Sequence, residues 1–396
     1  MTVFSQIIKL IPRSHFESAV KKYDGDKRTR TLDCWTWFGG LIFSQLSGHD
    51  SIRALERVFQ AGNKEVSKIG FNSIRRSTLS DANAVRPVEI LEDVFKYSLK
   101  LATQARGKRV DFGFPVLLLD STFIELCLSL CPWSYYRRSI DKTGRFKSAG
   151  VKLHTAIDLT GHLPEFALIK AGRERDNRDL KVARDNFKFK ADSLVVFDRG
   201  YWSADYLNEL NEGRVGFVTR LGKEHLKYCV EKSAEVDRTL GLICDQHIYL
   251  SGRRTKGLYK GKLRKISYRD PETKKKLIFI TNRFDLPADV VCKLYKARWQ
   301  VELFFKTLKQ NLKIKKFLGL SKNAVFAQIY AALICYVLLT YLKLTSRSNI
   351  SMPELMAVVG TLLLIKYEIL ELIKPPPKTT RHPPPIQLSL LPLDGL

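Results

Sequence analysis

Two aspartates in the middle of the chain each follow a short apolar run. Asp120 ends the sequence VLLLD, and Asp198 ends the sequence LVVFD. Apolar runs of this length predict buried strands, whose ends meet solvent at the edge of a sheet. A carboxylate in that position is suited to a hard divalent cation such as Mg²⁺. Because aspartates also occur at strand ends as ordinary caps, this pair becomes informative only together with further residues.

A third acidic residue, Glu302, lies on a predicted long helix from Pro287 to Lys313. At about 100° per residue, one arc of roughly 60° carries four polar side chains. They are Tyr295, Arg298, Glu302 and Lys309, with Lys306 just beside them. An adjoining apolar stripe can dock on a sheet, and it consists of Leu294, Val301, Phe305, Leu308 and Leu312. An ordinary pair of Arg298 with Glu302, worth ~0.3–0.5 kcal/mol, would explain one contact but not the whole set.

Three carboxylates among cations favour phosphodiester chemistry. Hydrolysis needs an activated water and a stabilised leaving oxygen, and two divalent metals ~3.5–4 Å apart can supply both. We expect Asp120, Asp198 and Glu302 to be catalytic and to ligate Mg²⁺, for which Mn²⁺ can substitute. Arg298 and Lys309 are expected to bind phosphates near the scissile bond. Since neither can ligate a metal, their loss should leave the metal requirement unchanged.

The elements that must hold these residues follow an alternating α/β pattern. The predicted order is strand, strand, strand, helix, strand, helix, strand, over Pro115–Leu119, Val151–Leu159, His162–Ala171, Asp179–Phe187, Ser193–Phe197, Ala204–Glu212 and Gly216–Leu221. This order predicts a mixed α/β sheet with Asp120 and Asp198 at the ends of two strands.

A polar, basic and glycine-containing stretch interrupts this pattern. It has short β-like pieces, and an apolar strand resumes at Leu277–Thr281. The Pro-rich end of the chain should be extended or disordered. The predicted organisation is a helical DNA-binding domain at 1–110, a catalytic core at 111–221 and 277–345, a β-rich insertion at 222–276, a helical region at 346–373 and a tail at 374–396.

The N-terminal region is predicted to be all-helical. Asp33–Leu46 is rich in Trp, Phe and Leu, and Ser51–Phe59 has apolar residues at helical spacing. Farther along, Ser77 or Thr78 is expected to cap a short helix that Pro87 limits, and Pro87 to start the next one.

Arg75, Arg76 and Asn83 give this short helix a polar face suited to phosphate and base contacts. A solvated helix within a helical bundle is the alternative interpretation.

Composition narrows the partners of the chain. Lys and Arg total 67 against 40 Asp and Glu, which gives a net charge of +27. Such a charge favours a polyanion, with double-stranded DNA first, although ribosomal and membrane-surface proteins share this balance. The seven cysteines form no CxxC pair and no Cys/His cluster, which predicts reduced thiols and no zinc site. The first residues lack a basic segment followed by an apolar run, so we expect no signal peptide and a cytoplasmic, nucleoid-associated protein.

One apolar segment, Val325–Leu342, is nearly long enough to span a bilayer. Gln328 and Thr340 interrupt it, and it follows the predicted catalytic helix. These features favour a buried core helix over a membrane span.

The segment YKARWQVELFFKTLK resembles the Tyr-x2-Arg-x3-Glu-x6-Lys signature of one large group of DDE insertion-sequence transposases. Tyr295, Arg298, Glu302 and Lys309 are in register with it. The resemblance extends to LLLDST around Asp120, to VVFDRGYW around Asp198, and more loosely to RRSTLSDAN in the N-terminal region.

This resemblance implies a bacterial transposase with an RNase H-like mixed-sheet core and a β-rich insertion. Its partners would be the terminal inverted repeats of an insertion sequence and target DNA, with a homodimer on paired ends. It would cut and paste, with a hairpin intermediate as one route. In the family, aromatic residues help to hold a flipped base. Trp299 and Trp202 are the candidates here, although core packing is the favoured role for each, and Tyr295 either binds a phosphate or packs.

Other classes of protein remain open. A nuclease on the same fold would cut without joining. A DNA-binding protein with an inactive core is less compatible with three intact acidic positions, and a membrane protein would have to use Val325–Leu342.

Overall fold

The computed structural model describes the chain except for residues 28, 108–111, 136–143, 145–147, 173–178, 222–225, 254, 313, 315 and 375–396. The predicted tail from residue 375 onward and Lys313 therefore lie outside the described residues. The fold is mixed α/β, with a helical N-terminal region and one large sheet.

In the described part of residues 1–115, seven helices precede the first strand, which confirms the predicted all-helical N-terminal region. They are α1 Val3–Ile8, α2 Arg13–Lys22, α3 Cys34–Ser47, α4 Ile52–Ala61, α5 Asn63–Ser67, α6 Arg76–Val85 and α7 Glu89–Arg106. The predicted capping of α6 was wrong. Arg75 occupies the N-cap position without a side-chain cap, so Ser77 and Thr78 lie inside the first turn. The helix does end before Pro87, but α7 begins only at Glu89.

The predicted alternation of strands and helices is confirmed. It runs β1 Val116–Leu126, β2 Ala149–Asp158, β3 Pro164–Ala171, α8 Asp179–Asn186, β4 Leu194–Phe197, α9 Ala204–Glu212 and β5 Gly216–Arg220. One boundary was wrong, because β1 does not stop before Asp120. Antiparallel pairing with β2 continues as far as Leu126, whereas parallel pairing with β4 stops at Leu119. Asp120 is therefore the first residue of β1 beyond the segment that pairs with β4.

The stretch predicted as an insertion does form strands, and they extend the same sheet. After β6 Tyr228–Ala234, β7 Leu242–Leu250, β8 Leu263–Arg269 and β9 Lys276–Thr281, the nine strands lie in the order β3-β2-β1-β4-β5-β9-β8-β7-β6. β9 pairs with β5 on one side and with β8 on the other. The basic insertion therefore joins the sheet through β9 and β5, and β5 in turn pairs with β4, the strand that Asp198 follows.

The predicted helix from Pro287 is two helices. α10 spans Ala288–Ala297 and α11 spans Trp299–Gln310, and Arg298 lies in the turn between them. Three helices follow, α12 Lys322–Ser346, α13 Met352–Leu362 and α14 Ile369–Ile373.

The long helix α12 is the centre of the helical layer. It packs against α3, α6 and α7 from the N-terminal region and against α11, α13 and α14. Within the described part of the chain, it is the one helix long and apolar enough to cross a membrane, yet 89% of its apolar stretch is buried inside the protein. The prediction of a core helix over Val325–Leu342 is confirmed.

The N-terminal helices share this core and do not pack as a separate unit. The same hydrophobic cluster contains Trp37 of α3, Val94 of α7 and Leu333 of α12. The backbone N–H of Phe4 also donates to the carbonyl of Leu363, at 2.8 Å. The domain boundary near residue 110 stays a prediction, and the helices on its N-terminal side pack against α12.

Candidate active site

The register of the central strands brings Asp120 and Asp198 together. β1 and β4 run parallel, with Leu119 paired to Phe197, and each aspartate is the next residue. Asp198 leaves the end of β4 in an extended conformation, and its Oδ1 accepts a hydrogen bond from the backbone N–H of Gly200 at 2.8 Å. The two carboxylates thus lie side by side where parallel pairing ends.

The break between α10 and α11 brings in Glu302. α11 packs on β1, and Arg298 extends from the turn at its start towards the strand. Arg298 Nη1 lies 2.5 Å from Asp120 Oδ2, and Nη2 lies 2.6 Å from Glu302 Oε1. One guanidinium therefore joins two acidic side chains that are 182 positions apart in the sequence.

Burial and charge act in opposite directions on Asp120. Burial raises the pKa of Asp120 to about 6, and the positive charge of Arg298 opposes that rise. The nearby negative charges of Asp198 and Glu302 contribute smaller increases to this raised pKa. The carboxyl group is therefore costly to ionise and depends on a cation at this position.

A cleft of about 450 Å³ opens beside these groups. Its lining includes Asp120, Ser121, Glu302, Lys306, Lys309 and Gln310. Lys309 Nζ donates to the carbonyl oxygen of Phe123 at 2.7 Å, which fixes this cation on β1. The cleft lining thus combines two carboxylates with two lysines, and the lysines are suited to contacts with phosphate.

The donor set fits a divalent cation, provided that Arg298 moves. Asp120 and Glu302 already hold a positive charge between them, and carboxylate oxygens are the ligands that Mg²⁺ prefers. In the described part of the chain, no three acidic, histidine or cysteine side chains are close enough to share one ion as they stand. The guanidinium occupies the oxygen atoms that such an ion would use.

The aromatic candidates fall into different environments. Tyr295 is 9% exposed and its ring lies 4.8 Å from that of Phe279, so its environment fits the packing alternative. Trp299 is 61% exposed, which makes the expected core-packing role wrong. Trp202 is half-buried and packs against the apolar cluster under the sheet.

The N-terminal candidates for DNA contacts differ in their exposure to solvent. Arg75 and Arg76 are exposed, and Arg76 lines a cleft of about 600 Å³ with Ser51, Arg53 and Ser77. Asn83 is 1% exposed, and its Oδ1 accepts a hydrogen bond from Trp37 Nε1 at 2.8 Å. A DNA contact by Asn83 does not fit this burial, because its side chain helps to hold α6 against α3.

Sequence reasoning missed a polar cluster next to the three candidate carboxylates, the triad of Asp120, Asp198 and Glu302. Ser121 and Lys152 both donate hydrogen bonds to Asp179, and the backbone N–H of Ser121 donates to Asp120. They lie on β1, β2 and α8, and they share no sequence pattern. The one available signal was that Ser121 directly follows Asp120.

Comparisons with known proteins agree with this geometry. A family model described as the transposase DDE domain matches residues 111–338, and one described as a domain of unknown function (DUF4372) matches residues 1–72. A putative transposase of Sinorhizobium fredii is 30% identical over 310 residues, which cover 77% of this chain and 82% of that protein.

Two further relatives are named for insertion sequences. The probable transposase of element IS5377 from Geobacillus stearothermophilus is 25% identical over 72% of each chain. The putative transposase of element IS4SA from Synechocystis is 24% identical over 70% of this chain and 75% of that protein. The chain belongs to the DDE transposases of insertion sequences, a class of enzymes that cleave and transfer DNA and generally use divalent metal ions.

Proposed function

We propose that this chain binds the ends of an insertion sequence, cleaves them with divalent metal ions and joins the 3′ ends to target DNA. The observation that carries the proposal is the convergence of three carboxylates from β1, β4 and α11 at the point where parallel pairing ends. We assign Asp120, Asp198 and Glu302 as metal-binding and catalytic residues. The order β3-β2-β1-β4-β5, antiparallel and then parallel, supports an RNase H-like core. The register of Tyr295, Arg298, Glu302 and Lys309 supports the Tyr-Arg-Glu-Lys group.

Bound Mg²⁺ or Mn²⁺ would activate the attacking hydroxyl and stabilise the leaving oxygen. The chain supplies the remaining parts. Asp120 and Glu302 hold Arg298 in the resting protein, and Arg298 must release at least one of them before both can act as ligands. The released guanidinium lies beside the cleft, where it can form a bidentate contact with the scissile phosphate.

Lys306 and Lys309 line the same cleft and would bind the phosphates that flank the cut. Lys309 is held by the carbonyl of Phe123, so its charge stays at a defined distance from β1. Trp299 is exposed within one turn of Glu302. It presents a surface for stacking against a base, which supports a route through a hairpin intermediate.

The remaining assignments concern partners. Arg75 at the N-cap of α6 and Arg76 at its first position are both exposed. We propose that they bind the terminal repeats. Binding of two ends requires two copies of the chain, so we propose a homodimer on paired ends, in the bacterial cytoplasm with the nucleoid DNA.

The test is cleavage of a mini-element by purified protein with Mg²⁺, beside a gel-shift assay. Asp120→Asn, Asp198→Asn and Glu302→Gln should each abolish cutting while DNA binding survives, because each removes a ligand and leaves the basic surface intact. Asp158→Asn, at the far end of β2, is the matched acidic control and should still cut. Normal cutting by any of the three variants would remove that residue from the site, and cut ends that are never joined would favour a nuclease.

A further inference from the structure

A partly buried polar cluster lies beside the candidate carboxylates, on the side of the sheet opposite to Arg298. Paired residues of adjacent strands share a face, and Ser121 is paired with His154. Asp179, the first residue of α8, reaches this face. Its Oδ1 accepts a hydrogen bond from Ser121 Oγ at 2.6 Å, and Lys152 Nζ lies 2.7 Å from the same oxygen atom.

Ser121 connects this cluster directly to Asp120. While its hydroxyl donates to Asp179, its backbone N–H donates to Asp120 Oδ1 at 2.8 Å. Two hydrogen bonds therefore link the carboxylate of Asp179 to that of Asp120. Rotation of either carboxylate must disturb the residue between them.

Asp179 also lies close to the turn at Gly200 that holds Asp198. A Cβ atom added at Gly200 would lie 2.9 Å from Asp198 Oδ1 and 3.5 Å from Asp179 Oδ2. An oxygen atom of each carboxylate therefore lies near Gly200, whose N–H donates to Asp198. Asp179 borders both strand-end carboxylates, one through Ser121 and the other through Gly200.

The partners of Asp179 distinguish it from a metal ligand. One oxygen is engaged by Ser121 and Lys152, and the other lies 2.8 Å from Lys152 Nζ. Lys152 and Asp179 are largely buried, with 17% and 23% of their side chains exposed. His154 Nδ1 lies 3.5 Å from Asp179 Oδ1, but burial lowers the pKa of His154 to about 4, so it adds no positive charge near neutral pH.

We propose that Asp179, held by Lys152, is a positioning residue that fixes the orientation of Asp120 through Ser121 and of Asp198 through the Gly200 turn. This inference rests on the proposed function, because it takes Asp120 and Asp198 to be the metal-binding carboxylates. Asp179 touches neither metal nor DNA in this scheme. It sets the angle at which the other two present their oxygen atoms.

The experiment combines single-turnover cleavage with Mn²⁺ binding by calorimetry in the absence of DNA. Asp179→Ala should slow cleavage roughly 10- to 100-fold with unchanged DNA affinity, as loss of a hydrogen bond to a charged group does. Ser121→Ala should slow it by a similar or smaller factor. The double variant should be no slower than Asp179→Ala alone, because both changes break the same link. Asp179→Asn keeps an acceptor for the Ser121 hydroxyl and should recover part of the rate.

The matched control is the ion pair of Arg106 with Asp158. Arg106 Nη1 lies 2.6 Å from Asp158 Oδ2, and this carboxylate also accepts a backbone N–H, from Gly161. Asp158 is on β2 as well, six residues beyond Lys152 and therefore about 20 Å away along the strand. Asp158→Ala should lower the melting temperature as Asp179→Ala does, but it should leave the cleavage rate unchanged.

Three outcomes would overturn the assignment of Asp179. The first is equal cleavage by Asp179→Ala and Asp158→Ala. The second is additive loss in the double variant. The third is a large loss of Mn²⁺ affinity in both Asp179→Ala and Asp179→Asn with none in Ser121→Ala, which would make Asp179 a ligand. Absence of cleavage by the unchanged protein with Mg²⁺ would instead refute the proposed function itself, so the two failures are distinguishable.

Discussion

Replacing Arg298 by methionine tests the active-site assignment most directly, because methionine is long and unbranched but carries no charge. Arg298 contacts Asp120 at 2.5 Å and Glu302 at 2.6 Å. A hydrogen bond to a charged group contributes about 1.5–3 kcal/mol. A divalent ion that uses both carboxylates must compete with these contacts, so their removal in advance should help the ion to bind.

The size of the effect follows from the number of contacts that break. If one contact must be lost, Arg298→Met should bind Mn²⁺ about 10- to 150-fold more tightly. The lower part of this range is expected if the contact with Glu302 breaks, because this side chain is 34% exposed and solvent already weakens the pair. Without metal the variant should be less stable by about 2 kcal/mol, below the ~3–5 kcal/mol typical of a fully buried pair.

The assay is calorimetric titration with Mn²⁺, together with thermal denaturation with and without the metal. A tenfold lower dissociation constant adds ~1.4 kcal/mol of stabilisation at saturating Mn²⁺. Saturating Mn²⁺ should therefore reduce the difference in the free energy of unfolding between Arg298→Met and the unchanged protein. Arg106→Met is the control, because it breaks a pair of 2.6 Å with Asp158 elsewhere on the sheet. It should lose stability without any change in Mn²⁺ affinity. Cleavage by Arg298→Met should be slow, since the phosphate contact is gone.

Two results would refute this reasoning. Unchanged Mn²⁺ affinity with slow cleavage would mean that Arg298 serves the DNA alone, as the sequence suggested. Weaker Mn²⁺ affinity would mean that Arg298 holds Glu302 in the position of a ligand, so that the cation assists the metal and does not compete with it.

Four further predictions follow from the same structure. Gly200→Ala should slow cleavage, because the new methyl group would lie 2.9 Å from Asp198 Oδ1. Gly213→Ala is the control and should cut normally in the same assay, because its methyl group would lie 3.4 Å from the nearest atom. Mn²⁺ affinity, followed by titration across pH, should fall roughly tenfold per pH unit below about 6, because the raised pKa of Asp120 lets protons compete. Because the net charge is +27, DNA affinity should fall steeply as the salt concentration rises. For 6–10 phosphate contacts the affinity should fall by a factor of ~10³–10⁵ between about 50 and 200 mM salt, and an affinity that does not change with salt would contradict this prediction. The fragment 1–106 should fail to show cooperative unfolding by circular dichroism, because it lacks α12.

The alternation of elements could be predicted because it depends on local apolar runs. Buried strands such as β4 are short and continuous in their hydrophobicity, and turn residues separate them from helices. The pairing of strands is a different problem, because the sequence does not say where one neighbour stops. Asp120 was therefore placed at the end of β1, although β2 pairs with β1 well beyond it.

The three acidic residues of the candidate site could be proposed from the sequence, whereas their contacts could not. Asp120, Asp198 and Glu302 follow from strand ends and helical spacing, and the structure brings them together. A straight helix would place Arg298 and Glu302 on one face, but the turn at Arg298 also points the guanidinium at Asp120. Asp179 was out of reach, since its contacts with Ser121 depend on how α8 returns across the sheet.

The N-terminal region shows a similar limit. A helical region followed by an alternating α/β pattern suggests a separate domain, because the sequence pattern indicates local structure alone. Whether their apolar faces meet each other or a distant helix is decided by packing, and here they meet α12. Asn83 has the polarity of a DNA-contacting residue, yet its partner is Trp37 in the interior.

Among the described side chains in and beside the cleft, carboxylates and cations occur together at the resting site, although the whole chain is strongly basic. The four carboxylates of the triad and its supporting cluster are accompanied by four cations, namely Arg298, Lys306, Lys309 and Lys152. A phosphate therefore gains little from entering the cleft while Arg298 still holds Asp120 and Glu302. Two divalent ions would add four positive charges and release the guanidinium at the same time. We therefore expect metal binding and binding of the scissile phosphate to strengthen each other, whereas the basic surface elsewhere attracts DNA whether metal is present or not.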